Sequence, residues 1–258
     1  IIREELFSAL VRLESDLKLK EQISEQLSNS FQQREAFRES QLSYLLRHTH
    51  LDGETMRSKL GQIDMAWVDE GFQIGVLQYR GTAAVMGHTE FLARIQDELA
   101  HVPDHCRDRH AIVLDKENQV VIIAEQAELF SYMTERISGA GYFLYSMGLS
   151  ECTHGVERLQ PAYTEALEAL KYTFLQSGPG SVGYESICHK NKDFTVPLAT
   201  IQRIANMLGT DRNKEMSTLL LEILDMKSVA RFDIGYIEAL SKALNEHVFD
   251  KVFHVYGG

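Results

Sequence analysis

The chain has 258 residues, with 26 Lys and Arg against 37 Asp and Glu, and a formal net charge of −11. Phosphate backbones are bound through cationic side chains that release counterions, so this acidic balance disfavours direct binding to DNA. Hydrophobic residues make up 44% of the sequence, which is ample for a packed core, and no apolar run approaches the roughly 20 residues of a membrane span.

The first 47 residues predict one long helix, because they contain neither proline nor glycine and carry an apolar stripe. The residues of this stripe are spaced alternately by four and three positions, which is the a/d pattern of a coiled coil. Along the stripe, a/d pairs of apolar residues are interrupted by a polar pair. The seam consists of Leu6, Leu10, Leu13, Leu17, Lys20, Ser24, Leu27 and Phe31. A dimeric signalling helix that shifts between packings fits this pattern. Two clean heptads also fit an amphipathic helix lying on the domain's own core.

Residues 48–190 predict an α/β domain. Runs rich in β-branched residues alternate with helical periods. The predicted elements are a turn at 51–54, a short helix through 60, strand 72–79, helix 88–100, strands 111–114 and 120–124 around a hairpin at 115–119, helix 127–137, strand 142–148, helix 159–176 and strand 181–184. The β-α-β-β-α-β order from 72 to 148 is that of the split βαβ, ferredoxin-like arrangement. We therefore expect an α+β fold.

Residues 191–258 predict a C-terminal helical bundle. Its helices are expected at 198–208, 211–225 and 234–255. Gly209 separates the first two helices, and Gly235 marks the start of the third. The predicted organisation is a coiled-coil-like helix (1–47), an α/β domain (48–190) and this helical region.

A cluster of metal-binding residue types lies between helix 88–100 and strand 111–114. His101, His105, Cys106 and His110 are ligand types that zinc prefers. Pro103 disfavours the regular helix that would bring His101 and His105 to one face. A polar loop is the ordinary interpretation of this segment, and a metal site is the alternative. The three cysteines (Cys106, Cys152 and Cys188) form no CxxC pair, which is typical of a reducing cytoplasm.

Three segments resemble one known domain. Gly148-Leu-Ser150, the helix 159–172 and Ser181-Val-Gly-Tyr-Glu185 look like the C-terminal half of the GGDEF-like domain of bacterial AraC-family transcription regulators, particularly the membrane-anchored Gram-positive type. Leu42-Ser-Tyr-Leu-Leu-Arg47 and the hairpin fit the same layout. The resemblance covers residues 40–258, and helix 159–172 is its most specific part.

The resemblance implies a place in a longer protein. In that family an extracytoplasmic sensor and a membrane helix precede the GGDEF-like region, and a C-terminal AraC-type helix-turn-helix pair follows it. The chain begins at Ile1 in a helical pattern, and no such pair appears after Asp193. We expect a cytoplasmic fragment of a membrane-anchored regulator that reaches DNA only through a domain outside this chain.

The catalytic residues of a diguanylate cyclase are not found at the corresponding positions. A cyclase presents carboxylates to Mg²⁺ at the end of the first strand and in a Gly-Gly-Asp-Glu-Phe hairpin. Here the strand ends in Gln78-Tyr-Arg-Gly81, and the hairpin reads Asp115-Lys-Glu-Asn-Gln119. Lys116 would compete with the metal for the neighbouring charges. Because phosphoryl transfer depends chiefly on that metal, we expect no catalysis and no cofactor.

The expected function is therefore signal relay within a homodimer held by the N-terminal helix. A different class stays open: a sensor that binds a nucleotide, a metal or a small metabolite in the GGDEF-like domain. Arg80 and nearby backbone amides are the groups that could hold a purine there.

Overall fold

The computed structural model describes residues 30, 33–48, 50–79, 87–103, 109–139, 145–175, 180–225, 229 and 231–252. All eight predicted seam residues lie outside this part of the chain, as do Arg80, Gly81, His105 and Cys106. The coiled coil and the complete metal cluster therefore stay predictions.

The described chain is an α+β protein, as the sequence predicted. Its elements are α1 (33–47), α2 (Gly53–Gln62), β1 (Gln73–Tyr79), α3 (His88–Ala100), β2 (His110–Leu114), β3 (Val120–Ala124), α4 (Glu128–Gly139), β4 (Tyr145–Leu149), α5 (Leu159–Tyr172), β5 (Gly180–Gly183), α6 (Leu198–Met207), α7 (Asn213–Ile223) and α8 (Ile234–Leu244). Most predicted bounds agree within a few residues. The predicted helix 234–255 instead changes to a π-helical turn at Asn245–Phe249. None of the helices in these ranges combines the length and the apolarity of a membrane span.

The five strands form one sheet in the order β2-β3-β1-β4-β5. Strand β1 pairs antiparallel with both β3 and β4, and β5 pairs parallel with β4. Because β3 lies between β1 and β2, and β1 lies between β3 and β4, each β-α-β unit is split by an antiparallel strand. This is the ferredoxin-like arrangement that the element order predicted.

Each face of the sheet is covered by different helices. On one face, Ile74 and Val76 of β1 share a buried cluster with residues of α1, α2 and α5. On the other face, Leu77 shares a cluster with α3 and α4. The alternation follows from the two-residue period of a strand. Burial on both faces explains the uninterrupted apolar sequence of β3 and the apolar centre of β1.

Helix α1 is part of the main core. Leu42 and Leu45 have no exposed surface, and Leu46 is 3% exposed. On the neighbouring helix α2, the Nζ atom of Lys59 donates to Gln41 Oε1 at 3.1 Å and lies 4.7 Å from the ring centre of Tyr44. These contacts tie α1 to the domain body.

Helix α5 lies directly against β4. An added Cβ at Gly148 would lie 2.2 Å from the carbonyl oxygen of Ala166 and 2.3 Å from the amide nitrogen of Leu170. Next to this contact, Ser150 Oγ accepts the N–H of Ile74 at 2.9 Å and so extends the β1–β4 ladder past its end. The glycine and the serine of the Gly-Leu-Ser segment therefore both have structural roles.

The C-terminal helices build a second core. It is formed by α6, α7 and α8 and contains Ile201, Ile204, Tyr236 and Leu240. Asn191 connects the preceding segment to α8: its N–H donates to Arg231 O, and its carbonyl accepts the N–H of Asp233, both at 3.0 Å.

Candidate functional site

The two positions that would hold metal in a cyclase lie at the same end of the sheet. Leu77 of β1 pairs with Val120, the first residue of β3 after the hairpin turn 115–119. The exposed Gln78 comes directly after Leu77 and therefore lies at the end of the sheet where this turn connects β2 and β3. The predicted correspondence with the GGDEF layout is therefore geometrically possible.

The hairpin turn is closed by its own aspartate. Asp115 Oδ1 accepts the backbone N–H groups of Glu117 at 2.8 Å and Gln119 at 2.9 Å. The N–H of Asn118 donates to Asp115 O at 3.1 Å, and Asn118 has a φ of 59°. Asparagine is one of the few residues besides glycine that adopt this left-handed conformation readily. A tight turn thus forms here without the glycine pair of a cyclase.

The second oxygen of Asp115 is also occupied. Its Oδ2 atom accepts the hydroxyl of Tyr163 on α5 at 2.9 Å. Burial, and then the hydrogen bond to Asp115, raises the pKa of Tyr163 above its ordinary value, so the phenol keeps its proton and donates. Three of the roughly four acceptor positions of the Asp115 carboxylate are therefore in use within the protein.

A pocket of about 350 Å³ lies beside this turn, between α1 and α5. This volume is at the small end of the range for ligand sites. Its charged residues are two cations and two anions, so the formal charges cancel. They are Arg47, Lys116, Asp115 and Glu117. Such a lining suits a small polar molecule better than a triphosphate, which requires an excess of cations or a metal ion.

The described half of the His/Cys cluster does not converge on one point. His101 follows α3, and its Nδ1 atom donates to Asp97 O at 2.7 Å. His110 belongs to β2. Within the described ranges, no three His, Cys, Asp or Glu side chains are placed to hold a metal ion. The predicted zinc site would therefore need His105 and Cys106, which lie outside them.

Helix α5 takes part in two buried clusters, one that it shares with α1 and one that adjoins α8. Leu45 and Ala166 belong to the same buried cluster. One turn further along α5, Ala169 and Tyr172 form a separate cluster with Ile187, and Ile234 of α8 packs against it.

Besides this apolar contact, one hydroxyl group of α5 forms a hydrogen bond with the start of α8. The Tyr172 hydroxyl accepts the N–H of Ile234 at 2.8 Å, at the first turn of α8, where backbone N–H groups have no partner within the helix. Asp233 precedes this turn, but its side chain makes no capping hydrogen bond. Tyr172 therefore does the work of an N-cap residue from another helix. We name Tyr172 and Ile234 the α5–α8 joint.

Sequence reasoning did not identify this joint or the contact between Asp115 and Tyr163. Both tyrosines belong to the helix that carries the family resemblance, but their partners lie 62 and 48 residues away. The one usable signal was the presence of two tyrosines in an otherwise alanine- and leucine-rich helix, because buried phenols require hydrogen-bond partners.

No match was found for this chain among models of known protein families, among characterised proteins or among solved structures.

Proposed function

We propose that this chain is a non-catalytic relay segment of a bacterial transcription regulator. It passes a change in the packing of its N-terminal helix to a DNA-binding domain outside the chain. The regulator acts as a homodimer held by the seam from Leu6 to Phe31, and this segment lies in the cytoplasm. The family assignment depends on the sequence resemblance to the GGDEF-like domain of AraC-family regulators.

One observation carries the relay proposal: α5 contacts both the incoming helix and the outgoing helical region. Leu42, Leu45 and Leu46 pack into the cluster that contains the first half of α5, and Tyr172 at its end holds the start of α8. Packed interiors transmit displacement because they compress little. A shift of α1 would therefore move α5, and with it the α5–α8 joint.

The hairpin geometry supports the non-catalytic part of the proposal. Asp115 is held by two turn amides and a phenol, and Gln78 offers a neutral amide. Neither residue is a free carboxylate of the kind that binds Mg²⁺ beside a triphosphate. We expect no cyclic dinucleotide from GTP and Mg²⁺.

The relay is tested by replacing both polar seam residues with leucine. Lys20→Leu combined with Ser24→Leu should stabilise one helix packing, because polar seam residues lower stability and specify register. We expect the full-length regulator to be fixed in one reporter state. The matched control is Glu21→Leu, a neighbouring position off the seam, which should leave the response intact. A reporter response unchanged by the double substitution would contradict the relay.

The pocket beside the hairpin favours a second candidate function, a sensor for a small polar ligand. Thermal-shift measurements with small zwitterions such as amino acids, which match the balanced charges of the lining, separate the two functions, and GTP, cyclic dinucleotides and Zn²⁺ are measured for comparison. A ligand at 100 times its Kd stabilises the folded state by about 2.7 kcal/mol. A ligand-induced stabilisation of that size in wild type but not in Arg47→Ala would favour the sensor. The relay by itself requires no stabilisation by a ligand.

A further inference from the structure

Strand β2 is an edge strand whose outward backbone groups follow from its register. The N–H of Glu125 donates to Arg109 O, and the N–H of Asp115 donates to Gln119 O, both at 3.0 Å. Hydrogen-bonded pairs alternate along an antiparallel ladder, so Ala111 and Val113 bond to β3. The N–H and C=O groups of Ile112 consequently point away from β3, toward the side of the sheet where no other described strand lies.

A groove of about 520 Å³ runs along this edge of β2. Its floor is the β2 backbone from 110 to 113, which is about 10 Å long at roughly 3.3 Å per residue. One wall is α1, with Glu35, Arg38 and Glu39, and the other wall is α3, with Leu92 and Gln96. The Arg38 guanidinium donates to His110 O at 3.2 Å and so covers one outward carbonyl.

We propose that this groove binds an extended segment of a partner protein, about four residues long, as a sixth strand of the sheet. Unpaired strand-edge N–H and C=O groups are complemented by another strand, which is the basis of β-augmentation. The two walls favour a single peptide strand over a second copy of the chain. In a second copy β2 also lies between α1 and α3, and these helices would meet the walls of the groove before the two strands could pair. The relay does not require this surface.

The walls also specify the partner's side chains. Successive side chains of an added strand point to opposite faces of the sheet. One set faces Leu92 and the half-buried Ile112, which suit apolar groups. The other set faces the α1 wall, where the exposed Glu35 and Glu39 outnumber the single cation Arg38, so the wall has a formal charge of −1. The partner segment therefore alternates apolar and basic residues.

The test uses the whole chain and a fluorescein-labelled six-residue peptide in which valine alternates with lysine, measured by fluorescence polarisation. Two control peptides accompany it: one with glutamate in place of lysine, and one with alternate backbone amides N-methylated. We expect the lysine peptide to bind at least tenfold more tightly than either control, because the controls lose the charge match or the strand pairing.

Two protein variants locate the binding. Ile112→Pro removes an outward N–H at an edge position, where proline is tolerated. We expect it to weaken peptide binding about tenfold, because one hydrogen bond to the peptide is lost. Ile112→Val keeps this N–H, and its affinity for the peptide should stay within twofold of wild type. Glu35→Lys combined with Glu39→Lys changes only exposed groups and should reverse the preference toward the glutamate peptide. The proposal would be overturned if the N-methylated peptide bound equally well, or if the double lysine variant did not reverse the peptide preference. It would also be overturned by a homodimer that Ile112→Pro dissociates, which would assign the edge to a second copy.

Discussion

Replacing Gly148 with alanine is expected to destabilise the protein by more than about 3 kcal/mol, beyond the usual range of 1–3 kcal/mol for an overpacked core. The added methyl group would lie 2.2 Å from Ala166 O and 2.3 Å from Leu170 N. Both are backbone atoms of α5, so no side-chain rotation relieves the overlap. The whole helix would have to move off β4. Urea unfolding monitored by circular dichroism measures the loss.

Gly61 provides the matched control. It lies in α2, and apart from the adjacent residues and the backbone of its own helix, no described atom lies within 4 Å of the Cβ that alanine would add. Gly61→Ala should stabilise the protein by about 0.4–1 kcal/mol, because alanine reduces the conformational entropy of the unfolded chain. If the two substitutions had equal effects, the close contact between α5 and β4 would be wrong.

Replacing Leu45 with alanine is expected to cost about 2–5 kcal/mol, the usual range for a fully buried leucine. Leu45 has no exposed surface and packs in the core cluster that α1 shares with α2 and α5. The cavity would lie between the incoming helix and the domain body. Chemical unfolding gives the free energy, and hydrogen exchange should show lower protection in the helix 33–47.

Phe37 on the same helix is the control for this substitution. Its side chain is 47% exposed, so Phe37→Ala should cost clearly less than Leu45→Ala. Comparable losses for the two variants would mean that α1 does not lie on the core as described. A loss below 1 kcal/mol for Leu45→Ala would have the same meaning.

The sheet was predictable because its signals are local. Strand β1 alternates and is rich in β-forming residues, β3 is a short apolar run, and the hairpin between β2 and β3 spans only five residues. Helix α3 was found with its exact ends, because Phe91, Ile95 and Leu99 repeat at the helical period. From the order of these elements, the split βαβ topology followed.

The contacts that give α5 its role were not predictable, because they are long-range and specific to side-chain atoms. The sequence indicates that the hairpin carries an aspartate, but not that both carboxylate oxygens of Asp115 are occupied. Likewise, nothing local marks Tyr172 as the acceptor for an amide 62 residues later. Sequence patterns identify elements and faces, whereas a hydrogen bond of this kind depends on the final packing.

The relay is tested most directly by amide NMR of the whole chain with a conservative change in α1. Leu45→Val alters the packing of α1 at moderate cost, and Tyr172→Phe removes only the hydroxyl at the α5–α8 joint. We expect Leu45→Val to shift the amide signals of α5 and of α8 from Ile234 onward, and we expect the α8 shifts to disappear when Tyr172→Phe is added. Such a double-mutant comparison measures coupling rather than proximity. Shifts confined to α1, α2 and the first half of α5 would contradict the relay.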